Sequence, residues 1–448
     1  MRLLTHDRSG IPIFFIIFTA TVFFLSLDSV IGYVSDFLVE QNTSVFGISL
    51  FVCISAVFIL GSVVLFRFIT NTTAKIRSNL IHLRILHIVS LATVLILVAI
   101  LTILLTEILL FSEYSVMLLV VTAAISPTVA AGVMVVSSYI LISWYRFNRS
   151  SYVVLIFALA FSINVYAFVY TTIRDISGLM EKDQIITPQS EVVYSSDVYE
   201  PGSIEMLLFN VYKYAATASF LLLLVGSAIM LRHYSSKIGR TKFWILVLLP
   251  SLYYVTILLD TLGIYAPQSE TDLFNYYVYS SLNGIVGGAL LGFLFWSISR
   301  TMRPNKSVSN YLLICSYGFV LLSIATVGQV SVAVYPPYGF ATYAMLTLSS
   351  YMIIIGLYAA ASSISQDVRL RQYIKDLTMK DSSFLAAIGH AQLEKQVRSK
   401  ASDLEDVVKE QRMELEKKSG VQSSIQEQDI KQYLLEVLQE VDKHKTGG

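Results

Sequence analysis

Charged residues are scarce in this chain of 448 residues, since Asp, Glu, Lys and Arg together account for 14% of it. Soluble domains contain about 25% charged residues. Hydrophobic residues account for 55%, and the mean hydropathy is +0.66. A soluble globule of this size needs more polar surface than this composition supplies. The sequence therefore predicts an integral membrane protein.

Cysteine is also rare, and the two cysteines, Cys53 and Cys315, both lie within apolar runs. This pattern excludes a disulfide framework and a CxxC metal site. The sequence contains no P-loop, no HExxH motif and no ExxH motif. We therefore predict no cofactor, no metal and no enzymatic activity, and a membrane enzyme is the least favoured alternative.

Apolar runs long enough to cross about 30 Å of hydrocarbon as helices recur along the chain. They cover residues 11–31, 46–69, 85–111, 116–144, 152–173, 206–231, 243–265, 275–298, 309–333 and 340–363. Backbone polar groups in lipid need partners within the protein, and continuous apolar runs favour helices over a β-barrel. The sequence thus predicts an all-α fold, a polytopic membrane bundle of about ten transmembrane helices.

Lysine and arginine are distributed unevenly among the loops. The loops on one side carry Arg2, Arg8, Arg67, Lys75, Arg77, Arg84, Arg146, Arg149, Arg232, Lys237, Arg240, Lys242, Arg300, Arg303 and Lys306. The loops on the other side are mostly acidic, with Asp36, Glu40, Glu113, Asp175, Glu181, Asp183, Glu191, Asp197, Glu200, Glu205, Glu270 and Asp272. Because basic loops stay in the cytoplasm, we predict cytoplasmic N- and C-termini in a plasma-membrane protein.

Composition divides the chain into a membrane part and a polar part. We predict a transmembrane domain over residues 1–363, with an external loop at 174–204. Residues 364–380 are predicted to continue the last transmembrane helix, since this stretch contains neither proline nor glycine. Residues 381–448 are predicted to form a cytoplasmic helical tail.

Apolar residues recur at heptad spacing in this tail. The first stripe contains Val397, Leu404, Val408 and Leu415, and the second contains Ile430, Leu434, Val437 and Val441. Such stripes predict a helical hairpin or a short coiled coil. Pairing of two hairpins into a four-helix bundle would produce a homodimer. The alternative is two surface helices that lie against the membrane or against another subunit.

The run Phe384-Leu385-Ala386-Ala387-Ile388-Gly389-His390 resembles the phosphoacceptor box of sensor histidine kinases, which places Phe-Leu-Ala six to four residues before its histidine. The acidic residue and the proline that normally follow that histidine are absent from Ala391-Gln392-Leu393-Glu394. No glycine-rich nucleotide box is present. The resemblance implies a helical hairpin of the signalling type without its catalytic half. We favour the alternative for His390 itself, a histidine on a helix surface.

Polar side chains inside membrane helices usually face a bundle interior or a water-filled cavity. Six such residues from different helices fall at one depth near the outer face: Asp28, Glu107, Lys213, Asp260, Asn283 and Gln329. They predict an externally open polar pocket, in which Lys213 pairs with Asp28 or Asp260. The alternatives are pairing without a ligand and an ion path. An ion path would have only Asn164 and His87 in the inner half.

Three glycines of the eighth predicted span, Gly284, Gly288 and Gly292, stand four residues apart. This GxxxG spacing lets a neighbouring helix approach closely. We predict a helix-packing role for them, with a hinge as the alternative.

These features favour a multipass membrane sensor or signalling scaffold, in which the outer pocket receives a signal and the tail recruits an unknown cytoplasmic protein. The main alternative is a secondary transporter with a regulatory tail, and a further one is an accessory subunit of a larger complex. The expected partners are membrane lipid, a second copy through the tail and the cytoplasmic protein. No nucleic-acid partner is expected.

Overall fold

The computed structural model describes residues 10–77, 81–147, 151–190, 203–232, 241–249, 270–302, 306–328, 333–366 and 387–395, with single positions between some of these ranges. Its helices are α1 (Gly10–Tyr33), α2 (Val39–Thr43), α3 (Val45–Arg77), α4 (Ile81–Phe111), α5 (Val116–Phe147), α6 (Tyr152–Met180), α7 (Ile204–Arg232), α8 (Glu270–Thr301), α9 (Lys306–Ala325) and α10 (Phe340–Gln366). Two short strands, β1 (Tyr114–Ser115) and β2 (Ile185–Ile186), form an antiparallel pair. The prediction of an all-α polytopic membrane bundle is confirmed.

Nine helices in the described part of the chain, all except α2, are long and apolar enough to cross a membrane. They correspond to nine of the predicted spans. The remaining predicted span, 243–265, falls mostly outside the described residues, although residues 241–249 are helical.

The predicted span 309–333 is too long, because α9 ends at Ala325. Residues 333–339, here called the buried connection, are buried although they are not helical. Pro336 has no backbone N–H to donate within a helix. Gly339 has a φ of +89°, a conformation that favours glycine. Hydropathy extended the predicted span to Ala333, the first residue of the buried connection, because buried non-helical residues are as apolar as helical ones.

Three tyrosine hydroxyls anchor the buried connection to the surrounding elements. They donate to backbone carbonyls: Tyr338 to Gly47 at 2.6 Å, Tyr335 to Ile108 at 3.3 Å, and Tyr114 to Val334 at 2.7 Å. Burial raises the pKa of Tyr114 well above its usual value, so this hydroxyl remains a neutral donor. The Tyr114 bond satisfies the buried Val334 carbonyl, and the other two bonds hold the connection against α3 and α4.

Helix α10 lies in the interior of the bundle. Every residue from Phe340 to Ser365 except Ser363 is buried. The helix packs against α1, α3, α4, α5 and α9. The surrounding helices carry the exposed apolar side chains, such as Leu95 and Leu110 of α4 at 60% and 71% exposure. The bundle therefore presents its outer helices to lipid and encloses α10.

The amino end of α10 is capped by Asp28 of α1. Asp28 Oδ1 accepts a hydrogen bond from the Gly339 N–H at 2.9 Å, and Oδ2 accepts from the Thr342 N–H at 2.9 Å and the Thr342 hydroxyl at 2.8 Å. The first N–H groups of a helix have no acceptor within the helix, and the positive end of the helix dipole favours a carboxylate. Asp28 is fully buried. It supplies the first N–H groups of α10 with the acceptors that water supplies at an exposed helix end.

Helices α8 and α9 pack through the three glycines of the GxxxG pattern. A Cβ placed at Gly284, Gly288 or Gly292 would overlap the side chains of Val327, Ser323 or Val320, respectively. Small residues at these positions let the two helices approach closely.

The region predicted as an external loop, 174–204, contains regular structure in its first part. Helix α6 continues to Met180, and β2 pairs with β1 beyond it. Residues 191–202 lie outside the described residues.

Residues 387–395 are helical, and His390 of the phosphoacceptor-like run lies in this helix. Gly389 lies against the carboxyl end of α10, since a Cβ placed on it would be 2.9 Å from the Cβ of Ile364. The predicted continuation of α10 lies outside the described residues beyond Gln366. Both heptad stripes, in residues 397–441, also lie outside them, so the predicted hairpin stays a prediction.

Replacing Asp28 by Ala should lower the free energy of unfolding by about 3 kcal/mol or more, because several buried donors lose a charged acceptor. Asp28→Asn keeps one acceptor oxygen and should cost less. Denaturant unfolding of the protein in lipid nanodiscs measures both changes. Asp183→Ala removes an exposed carboxylate and is the matched control. A stability of Asp28→Ala equal to that of the control would contradict the capping role.

Candidate functional site

The described members of the predicted outer pocket contact three different parts of the protein. Asp28 caps α10. Glu107 Oε2 accepts a hydrogen bond from the Ser115 N–H at 3.0 Å. The Lys213 Nζ lies 5.9 Å from the centre of the Phe209 ring. Both Asp28 oxygens are occupied by the end of α10, so the expected pairing of Asp28 with Lys213 is not formed.

The other three members fall outside what the structure describes. Asp260 and Gln329 are among the residues not described, and for Asn283 only the backbone, within α8, is described. A shared pocket that includes these residues stays a prediction.

A separate cavity of about 150 Å³ lies among α6, α7, α8, α9 and α10. Its aromatic lining residues are Phe168, Tyr212, Phe220, Phe319 and Tyr343, and its polar lining residues are Asn164, Thr171, Ser219, Ser323 and Thr326. None of the six residues of the predicted outer pocket lines it. Small-molecule sites typically combine an apolar, aromatic lining with a few polar groups. This cavity is therefore the candidate functional site.

Helices α6 and α7 join through a polar contact in the cavity wall. The Ser219 hydroxyl lies 2.9 Å from Asn164 Oδ1 and 3.0 Å from the Ala160 carbonyl oxygen. Because the Asn164 oxygen already accepts from Ser219, the side-chain nitrogen of Asn164 is the group left for another partner. The hydroxyl of Ser323 likewise has no hydrogen-bond partner within the described part of the chain.

A buried carboxylate adjoins this cavity. Asp175 lies one helical turn beyond Thr171 in α6 and is 1% exposed. The Tyr343 hydroxyl donates to Asp175 Oδ2 at 2.8 Å, and Arg174 donates to Oδ1 through Nη2 at 3.2 Å and Nε at 3.3 Å. A buried carboxylate is costly unless it is paired and hydrogen-bonded. Tyr343 thus connects the cavity, α10 and a buried ion pair.

A second buried polar contact holds α10 further along its length. His87 Nδ1 of α4 lies 2.8 Å from the Tyr351 hydroxyl, and the Phe66 ring of α3 packs against both rings. Of the two inner polar candidates from the sequence, Asn164 therefore lines the cavity and His87 contacts α10.

Sequence reasoning missed Asp175, Tyr343 and Ser219. Asp175 was assigned to an external loop because of its charge. A signal for the site was nevertheless present: Asn164, Phe168, Thr171 and Asp175 recur at spacings of four, three and four residues. That spacing places them on one face of a helix.

The described residues contain no group of three or more His, Cys, Asp or Glu side chains arranged to hold a metal ion. No family model, no curated protein and no solved structure matches this chain. Its function is therefore argued from the geometry of the site.

Replacing Tyr343 by Phe should lower the free energy of unfolding by about 1–3 kcal/mol, because a buried carboxylate loses a donor. The loss should be smaller when Asp175 is already Asn. A double-mutant cycle measured by denaturant unfolding should give a coupling energy of about 1 kcal/mol or more. Tyr214→Phe, at a tyrosine that is 57% exposed, is the control. Additive effects of the two core substitutions would contradict a direct Tyr343–Asp175 interaction.

Proposed function

We propose that this protein is a multipass membrane sensor, in which a small molecule bound in the cavity shifts α10 and the cytoplasmic tail passes this change to a separate protein. One observation carries the proposal: the cavity is walled in part by the enclosed helix that leads to the tail. Tyr343 and Leu346 of α10 are among its lining residues.

The position of α10 is sensitive to its surroundings because it is packed on all sides. Interiors elsewhere have the density of organic crystals, so a molecule that fills the cavity would act directly on Tyr343 and Leu346, the α10 side chains that line it. Packed interfaces tend to respond by switching between discrete arrangements. Tyr343 is the residue through which this response begins, since it faces the cavity and also binds Asp175.

The carboxyl end of α10 provides the output. Ile364 lies against Gly389, which belongs to the first part of the tail. A displacement of α10 along its axis or about it would change this contact. In the proposed function the tail hairpins of two copies pair in the cytoplasm and recruit the partner protein.

A secondary transporter is the second candidate, and the buried connection favours it. Transporters form substrate sites where membrane helices are broken, and helix amino ends there point at the substrate. In this protein Asp28 already accepts hydrogen bonds from the amino end of α10. Those N–H groups are thus not available to a substrate, and this supports the sensor.

Filling the cavity should change the contact at the end of α10. The test protein carries Ile364→Cys and Gly389→Cys, with Cys53 and Cys315 replaced by Ala. We expect Ala216→Phe, which places a ring in the cavity, to change the rate of disulfide formation between positions 364 and 389 by about threefold or more, a free-energy shift of about 0.6 kcal/mol or more. The measurement is the disulfide yield with time under mild oxidation.

Ala215→Phe is the control for this experiment, because Ala215 neighbours Ala216 in α7 but does not line the cavity. Equal crosslinking rates in all three proteins would contradict the coupling of cavity and tail. Accumulation of a solute in proteoliposomes by a protein lacking residues 381–448 would favour the transporter instead.

The tail should make the protein dimeric. We expect the full chain in detergent to have the mass of two copies. The double variant with Leu404→Glu and Leu434→Glu should have the mass of a single copy, because charges at heptad positions disrupt a hydrophobic seam. Ser402→Glu with Gln432→Glu, outside the stripes, should leave two copies. Mass photometry distinguishes these states. A single copy for the unaltered chain at micromolar concentration would contradict the proposed dimer.

A further inference from the structure

We propose that the cavity binds an uncharged molecule built on a single aromatic ring that carries a hydrogen-bond acceptor. This inference rests on the proposed function, in that it takes the cavity for the ligand site and specifies what the site accepts. It is argued from the size of the cavity, its lining, its free donors and its charge.

The volume fits one ring inside the cavity. The cavity measures about 150 Å³, and an apolar protein cavity of about that size binds benzene. A sterol, a nucleotide or a fused polycyclic ring system is too large for such a space.

The lining favours a flat aromatic ligand. Phe168 of α6, Tyr212 and Phe220 of α7, and Phe319 of α9 contribute rings from three helices. Aromatic pairs gain about 0.5–1.5 kcal/mol from offset or edge-to-face contact beyond the burial of their area. Rings arranged around a one-ring space therefore favour an aromatic molecule over an aliphatic one of equal volume.

The free polar groups of the wall favour a hydrogen-bond acceptor on the ligand. Ser219 fixes the Asn164 side chain by occupying its oxygen. An amide nitrogen can only donate, and within the described part of the chain the nitrogen of Asn164 has no partner. Ser323 of α9 also lines the cavity and carries a hydroxyl. A carbonyl or ether oxygen on the ring would satisfy the amide donor.

The charge of the site excludes a charged ligand. No residue that lines the cavity is Asp, Glu, His, Lys or Arg. Asp175, which accepts a hydrogen bond from the lining residue Tyr343, is paired with Arg174 at 3.2 Å. Burying an ion without a counter-ion is far more costly than burying a neutral polar group, so the cavity discriminates against both signs of charge.

Three probes of the same shape test the proposal on the full chain in phosphatidylcholine nanodiscs. Benzamide is neutral and carries a carbonyl acceptor, benzamidine is its cationic counterpart, and benzoate is the anionic one. Equilibrium dialysis measures binding of each probe, with empty nanodiscs subtracted because neutral aromatic molecules also partition into lipid.

Benzamide should bind at least tenfold more tightly than benzamidine or benzoate. Ala216→Phe should abolish specific benzamide binding, whereas Ala215→Phe should leave it unchanged. Asn164→Leu, which keeps the side-chain size and removes the donor, should weaken benzamide about threefold to tenfold, as expected for a lost neutral hydrogen bond. Ser323→Ala should have a smaller effect in the same direction.

Several results would overturn this assignment. Equal or tighter binding of either ion would contradict an uncharged ligand, and equal binding of benzamide to the Ala216→Phe protein would contradict the location. Failure of all three probes to bind would contradict a one-ring aromatic ligand and would leave a lipid chain as the occupant.

The protein with Ile364→Cys and Gly389→Cys separates this inference from the sensor function. Benzamide that binds as predicted but leaves the 364–389 crosslinking rate unchanged would uphold the ligand class and contradict the sensor. A crosslinking response to Ala216→Phe without benzamide binding would uphold the sensor and contradict the ligand class.

Discussion

The hydrogen bonds between Asp28 and the amino end of α10 are the interaction on which the rest of this structure depends. A helix end enclosed by protein cannot use water to satisfy its first N–H groups. Asp28 supplies both carboxylate oxygens to residues more than three hundred positions away, at 2.8–2.9 Å. This single side chain joins the first spanning helix to the last one described and allows the buried connection, 333–339, to lie in the protein interior without being helical.

Because α10 is enclosed, its polar side chains are buried in the bundle interior together with its apolar ones. Tyr343 and Tyr351 bind Asp175 of α6 and His87 of α4, respectively, at 2.8 Å each. Buried polar contacts of this kind are costly when one partner is lost, so they restrict α10 to few positions. In the proposed function, a molecule in the cavity acts on this restricted helix through Tyr343 and Leu346.

Hydropathy was sufficient to predict the helical class and most of the spanning helices, because each lipid-facing helix needs a long apolar run. It extended the ninth span to residue 333 although α9 ends at Ala325, because apolar residues beyond the helix, such as Val330 and Ala333, are buried by tertiary contacts. The sequence correctly indicated that Asp28 is unusual at its depth in the membrane. Its partners, Gly339 and Thr342, could not be predicted because they lie at the opposite end of the membrane domain in the sequence. Asp175 was missed because its charge favoured a loop position, although its spacing from Asn164 is that of one helix face.

The enclosure of α10 is the central claim of this account, and photolabelling from lipid tests it most directly. Phosphatidylcholine with a photoreactive group on its acyl chain, followed by peptide mass spectrometry, reports which helices face lipid. The account predicts labelling of α4 at its exposed leucines and none over residues 340–365. Labelling of α10 to the same extent as α4 would contradict it.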